Sequence, residues 1–245
     1  MKTIAMTALH YGRDYLSYAI RSVIDSVDEY HVLYTAHGSH GHKTSAVCPD
    51  SKDELYALAE HSAGRRLRWH DGEWNSEGEQ RDAIFRLAPN ADIIVVVDAD
   101  EIYDDELAER SARSAWDSGV HRLRLPFVHL WRSFYKGFTR DPAYPERIIV
   151  PGRQGGVTDT YQTNLRIFHT GYAQRSELVK YKLLTHGHRN QFRTDVDWFN
   201  DVFMANRQVD CHPVGSPYWN CEDLSLGALP MILWNHPYAH LDVIP

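Results

Sequence analysis

The apolar positions along the chain change period several times, and each change marks an element. Lys2 to Ala8 is a short apolar run closed by His10-Tyr11-Gly12, which predicts a strand. From Asp14 to Asp25 the positions Tyr15, Tyr18, Ala19, Ser22 and Val23 recur at helical spacing. Tyr30 to Thr35 predicts a second strand, followed by a His-rich loop carrying His37, His40 and His42. Ser51-Lys-Asp-Glu54 has the spacing of a capping box, and its helix is expected to stop at Gly64. Arg66 to His70 predicts a third strand, and Ser76-Glu-Gly-Glu79 a second capping box opening a helix to Leu87. Asp92 to Asp98 is then a continuous β-branched run, as expected of a strand buried on both faces.

The second half is less regular. His121 to His129 and Asn164 to Thr170 read as strands, and residues 137–161 as a long loop or a pair of short strands. Helices are expected over Ser176 to Leu184 and over Thr194 to Asn206, the latter capped by Thr194. Strands alternating with helices predict an α/β fold, with a mostly parallel sheet flanked by helices and a looser second half. The expected organisation is a single domain over residues 1–245, its first 120 residues forming the regular half.

Composition narrows the class. At 245 residues and 43% apolar content, one core is large enough to need no disulfide or metal for stability. The apolar run Ile93 to Val97 is far too short to span a bilayer, so a membrane protein is not expected. The N-terminal segment lacks the apolar stretch of a secretory signal, and the three cysteines show no CxxC spacing. Together these predict a cytoplasmic protein. The net charge of −7 conceals a split: residues 1–120 carry −10, residues 121–207 carry +7, and the rest −4. A basic middle segment suits an anionic partner, and solvated arginines would produce the same count.

The sharpest chemistry is Asp98-Ala-Asp100-Glu101 at the carboxyl end of the most buried strand. In extended backbone, residues i and i+2 point the same way, so Asp98 and Asp100 present two carboxylates to one spot. Open α/β sheets bind ligands at such strand ends, and paired hard oxygens suit Mg²⁺ or Mn²⁺. An acidic turn leading into the helix at Asp104-Asp105-Glu106 is the plainer alternative.

Four stretches carry a resemblance: Lys2 to Gly12, Tyr15 to Ile24, Gly78 to Ala83 and Ala91 to Glu101. In order and spacing they resemble the GT-A glycosyltransferases, closest to the family-2-like group, over roughly residues 1–110. The resemblance implies a nucleotide-diphosphate sugar donor, UDP-sugars favoured, and a Mn²⁺ or Mg²⁺ cofactor. It places Thr7, Ala8, Leu9 and His10 near the base, Asp98 at the ribose or metal, and Asp100 on metal and diphosphate. Arg81-Asp82 stands where the family often has Arg-Asn. The catalytic base is expected among carboxylates of the second half, with Asp141 and Glu146 ahead of Glu222 and Asp223. A third metal ligand is expected at His169, with His186 and His188 next.

The acceptor expected is a glycan or a hydroxymethylated base of phage-type DNA. Lys180, Lys182, Arg189 and Arg193 are candidates to neutralise a diphosphate or an anionic acceptor, and a solvated helix face is the alternative for each. Trp131, Trp198, Trp219 and Trp234 are candidates for ring stacking, with Arg132 a candidate phosphate ligand; for the tryptophans a core role is equally open. Rival functions are a nucleotidyltransferase or phosphatase using the same carboxylates, or a non-catalytic sugar-nucleotide-binding module.

Overall fold

In a computed structural model of the chain, the described residues are 1–38, 44–139, 144–153, 157–185, 189–214 and 220–245. Asp141, His40, His42, His186, His188 and Trp219 lie outside them. The strands are β1 (Thr3–Leu9), β2 (Glu29–Tyr34), β3 (Leu67–Asp71), β4 (Ile93–Val96), β5 (Glu101–Tyr103) and β6 (Arg122–Arg124). Then follow β7 (Phe127–Trp131), β8 (Lys136–Phe138), β9 (Glu146–Ile149), β10 (Thr158–Thr160), β11 (Ile167–Tyr172) and β12 (Glu222–Asp223). The helices are α1 (Leu16–Val23), α2 (Lys52–Ala63), α3 (Glu77–Asp82), α4 (Ile84–Leu87), α5 (Leu107–Ser118) and α6 (Ser176–Thr185).

The four apolar runs of the first half become four parallel neighbours, ordered β3-β2-β1-β4. Ala5 of β1 lies opposite Tyr30 on one side and Val95 on the other, so the middle of the sheet is apolar. Strand β9 runs antiparallel beside β4, and β6 and β10 complete a seven-stranded, mostly parallel sheet. Helix α1 turns Leu16, Ala19, Ile20 and Val23 inward at helical spacing. The first capping box forms in both directions between Ser51 and Glu54, and α2 stops at Gly64. The second forms only in part: Ser76 accepts from the Glu79 amide, while the Glu79 carboxylate accepts from Asn75. The single helix expected there is divided at Ala83.

The expected strand from His121 to His129 divides into β6 and β7. Pro126 has no amide to donate to a ladder, so the first sheet ends there and the chain enters another. This second sheet has five strands in the order β12-β8-β7-β11-β5. The expected 194–206 helix is a shorter π-type helix over Trp198–Met204, capped by Asp197, whose carboxylate accepts from the Asn200 amide; Thr194 is not the cap.

One apolar cluster joins the inner faces of both sheets through Val95, Val97, Phe127, Leu130 and Ile167. Another gathers Trp131, Phe138, Tyr172, Trp198 and Phe203. Trp131 and Trp198 are therefore core side chains with no face for a ligand. Arg132 is also internal: its guanidinium donates to the carbonyls of Phe203 and Ile244 at 2.8 Å each, which removes it as a phosphate ligand. Among the described residues, no helix is long and apolar enough to cross a membrane.

Candidate functional site

Strand β1 has β2 on one side and β4 on the other, which creates a crevice where the connections diverge. Two segments leave the sheet at that crevice: His10-Tyr11-Gly12 after β1 and Asp98-Ala99-Asp100 after β4. They are packed directly on each other. Gly12 has φ +140°, and a Cβ there would lie 2.5 Å from the Ala99 Cβ. The Gly12 and Arg13 amides donate to Asp50 Oδ2 at 2.8 and 2.9 Å, and Arg175 Nη2 holds Asp50 Oδ1 at 2.6 Å. Gly12→Ala is expected to destabilise the protein by about 1–3 kcal/mol through this clash. Gly64→Ala, whose Cβ meets nothing within 4 Å, isolates the cost of positive φ. Equal losses in urea titrations of the two variants would show that the Ala99 contact constrains nothing.

Between β4 and β5 the chain makes a turn in which the Glu101 amide donates to the Asp98 carbonyl at 3.0 Å. The turn moves the chain from the first sheet to the second, because Glu101 begins β5 opposite His169 of β11. The Asp100 carbonyl accepts from the Thr170 amide at 2.7 Å and the Thr170 hydroxyl at 3.0 Å. Both sheets thus fix the carboxylate segment.

Each carboxylate of the segment has a cationic partner. Asp98 Oδ1 accepts from Arg81 Nη2 at 2.6 Å, and Asp98 Oδ2 from Arg147 Nη2 at 2.9 Å. Arg147 also donates to both oxygens of Glu101, at 2.8 and 2.5 Å. Asp100 Oδ2 accepts from Lys182 Nζ at 3.1 Å and faces His169 Nε2 at 3.5 Å. The Nδ1 atoms of His169 and His129 are 3.0 Å apart, so one ring donates and the other accepts. Gly171 makes the Lys182 approach possible: a Cβ there would lie 2.5 Å from Nζ and 2.4 Å from His169 Cε1.

The protonation states follow. Burial opposes the charges on Asp98 and Asp100, but Arg81 and Arg147 outweigh it at the first, and Lys182 at the second. Both carboxyls lie below their ordinary value. Burial lifts the deeper Glu101 to about 7, with Arg147 pulling the other way. Burial pushes His169 down to about 3, so its ring is neutral. Burial also works against the Lys182 ammonium, and Asp100 more than compensates.

Asp98, Asp100, Arg147, His169 and Lys182 line a cavity of about 400 Å³, with Glu101 beneath it. Ala8, His10, Arg81, Asp98, Asp100 and His169 all line it. Thr7 and Leu9 do not. Alternation along β1 sends the Thr7 hydroxyl to Tyr30 and the Val97 carbonyl, and Leu9 into the core. Asp82 is exposed and outside the cavity lining. Glu146 belongs to the opposite face of β9, where it pairs with Arg122 at 2.7 Å, and so does not serve as a base here.

Sequence reasoning missed Arg147 and Gln80, both in the lining, and the deeper Glu101 as a working member of the site. Lys182, singled out only as one of several cations, also lines the cavity. The signal at Lys182 was its helical register with Val179 and Leu178, which are fully buried.

The metal reading does not fit this arrangement. Both Asp98 oxygens accept from guanidinium groups, and the Asp100 oxygen facing His169 also accepts from an ammonium. Among the described residues, no three His, Cys, Asp or Glu side chains have the geometry to hold an ion.

No protein-family model and no curated protein matches the chain. Among solved structures, it is similar to S. aureus TarS at 11% identity and a TM-score of 0.46, over 85% of this chain and 43% of that one. It is similar to S. aureus TarS 1–349 in complex with UDP-GlcNAc at 15% identity and a TM-score of 0.39, over 53% and 35%. The third is UDP-glucose pyrophosphorylase complexed with UDP-glucose, at 10% identity and a TM-score of 0.36, over 69% and 74%. The chain spans less than half the length of the TarS chains it matches.

Proposed function

We propose that the chain is a glycosyltransferase that takes a sugar from a nucleotide-diphosphate donor bound in this cavity. The observation that carries the reading is the convergence of Asp98 and Asp100 with Arg81, Arg147 and Lys182 at the β1–β4 crevice. Carboxylates there suit sugar and ribose hydroxyls, and the cations suit a diphosphate. A cavity of about 400 Å³ is of the size that holds a small organic ligand. His10 is held between the Thr35 carbonyl at 2.9 Å and the Tyr181 hydroxyl at 2.8 Å, and Tyr11 meets Tyr181 edge-on. This aromatic wall offers a flat surface to a base.

In the transfer, the acceptor oxygen bonds to the anomeric carbon as the bond from that carbon to the diphosphate breaks. Fixed cations stabilise the charge that builds on the departing diphosphate. The acceptor proton goes to a carboxylate, for which Asp141 is the remaining candidate of the two named first from the sequence. A single displacement of this kind inverts the anomeric centre.

The charges favour a glycan acceptor over DNA. Much of the basic middle segment is paired internally: Arg122 with Glu146, Lys136 with Asp223, Arg175 with Asp14 and Asp50, Arg193 with Asp195 and Asp210. Cations so engaged release few counterions from a nucleic acid.

The test is incubation with a panel of UDP-, GDP- and TDP-sugars, scoring release of nucleoside diphosphate. Release is expected with one donor class and is expected to fall about a hundredfold or more in Asp100→Asn, as for loss of a transition-state contact. Absence of binding and turnover across the panel would sink the reading.

A further inference from the structure

We propose that the Lys182 ammonium permanently occupies the cation position at Asp100, so that the donor diphosphate is held without a divalent ion. Lys182 is 8% exposed, and its Nζ lies 3.1 Å from Asp100 Oδ2 and 5.4 Å from the centre of the Tyr172 ring. The missing side chain at Gly171 leaves the space it fills, since a Cβ there would lie 2.5 Å from Nζ. A lysine ammonium is a compact point charge, closer to a metal ion in shape than a guanidinium fork is. Burying it is costly unless it is paired, and Asp100 is that pair.

Displacing it with a divalent ion would strand the ammonium in a buried place and add positive charge beside Arg81 and Arg147. Those two already hold the oxygens of Asp98. Every negative group of the segment is thus answered from within the chain, by one cation from α3, one from β9 and one from α6.

The cation half of this inference stands on the ion pairs alone, and the diphosphate half rests on the nucleotide-sugar reading. The first probe is Mn²⁺ alone, titrated into the protein and followed by electron paramagnetic resonance. Wild type is expected to bind it at least about tenfold more weakly than Lys182→Met, a difference set by one freed carboxylate. Adding Asp100→Asn to Lys182→Met should remove the gain. Wild-type binding as tight as that of Lys182→Met overturns the proposal.

Should Lys182→Met fail to fold, wild type decides: Mn²⁺ bound there and lost in Asp100→Asn overturns the proposal, and no Asp100-dependent binding upholds it. Calorimetry with UDP then compares EDTA with Mn²⁺. Equal affinity upholds the diphosphate half, and an affinity about tenfold higher with Mn²⁺ overturns it. No UDP binding in either buffer removes the nucleotide reading, and with it the diphosphate half, while the Mn²⁺ result still decides the cation half.

Discussion

Replacing Arg147 with methionine is expected to destabilise the protein by about 3–5 kcal/mol, the range for stranding one member of a buried ion pair. Arg147 is the guanidinium shared by Asp98 and Glu101, and Glu101 is 1% exposed. Without it, Asp98 keeps Arg81, but among the described residues Glu101 keeps only the long contact from the Asp98 amide at 3.3 Å. The loss should grow with pH. Glu101 titrates near 7 in the folded protein against an ordinary 4.5. Between those values the folded chain holds a proton that the unfolded chain has released, so stability falls as pH rises. Removing Arg147 lifts the folded value further and extends that fall to higher pH. Urea unfolding at pH 5 and pH 8 measures this, and Arg147→Met/Glu101→Gln should recover most of the loss. A loss below about 1 kcal/mol, or no recovery in the double variant, would show the pair to be worth no more than a surface one.

The regular half of the fold was legible because its signals are local. Period, β-branched runs and the Ser51–Glu54 box each act within a few residues, and the mostly parallel sheet flanked by helices follows from them. The second sheet was not legible, because β5, β7 and β11 are partners across as many as 68 residues, as for Glu101 and His169, and no local pattern names them. The site divides in the same way. Asp98, Asp100 and His10 follow strands whose ends the pattern marks, and the structure brings them together. Thr7 and Leu9 failed on a period of two, as does any choice that takes every residue at a strand end. Glu146 failed by one position: β9 lay within residues read as a loop or short strands, and a one-residue shift exchanges Glu146 for Arg147 on the inner face. The carboxylates and Arg81, 17 residues before Asp98, were visible, but Arg147 and Lys182 come from elements far along the chain. The metal expected from the sequence was thus placed at carboxylates that pair with Arg81, Arg147 and Lys182.

Acid is expected to weaken the fold from pH 6.5 downward, well above the ordinary titration of its carboxylates, and His169 is expected to dominate that loss. Its ring is 16% exposed and held neutral, with the folded value near 3 against an ordinary 6.5. Between those two values the unfolded chain binds a proton that the folded chain refuses, so stability is present above 6.5 and is lost as pH falls. At about 1.4 kcal/mol for each pH unit separating the two values, the full span is worth on the order of 5 kcal/mol. Burial lowers His31 and His236 as well, so they act in the same direction. Glu101 acts in the opposite direction between 7 and 4.5, and Asp100 loses its contribution only below its ordinary 3.8. The bare wild-type slope is therefore a sum, and the informative quantity is its difference from His169→Gln, which keeps a polar group but cannot titrate. Unfolding free energies at intervals from pH 7 to pH 4 should show a clearly shallower fall in His169→Gln. Parallel curves would mean that His169 takes up its proton in the folded state as easily as in the unfolded one. Its ring would then be a cation beside Lys182, and the charge balance at Asp100 would have to be redrawn.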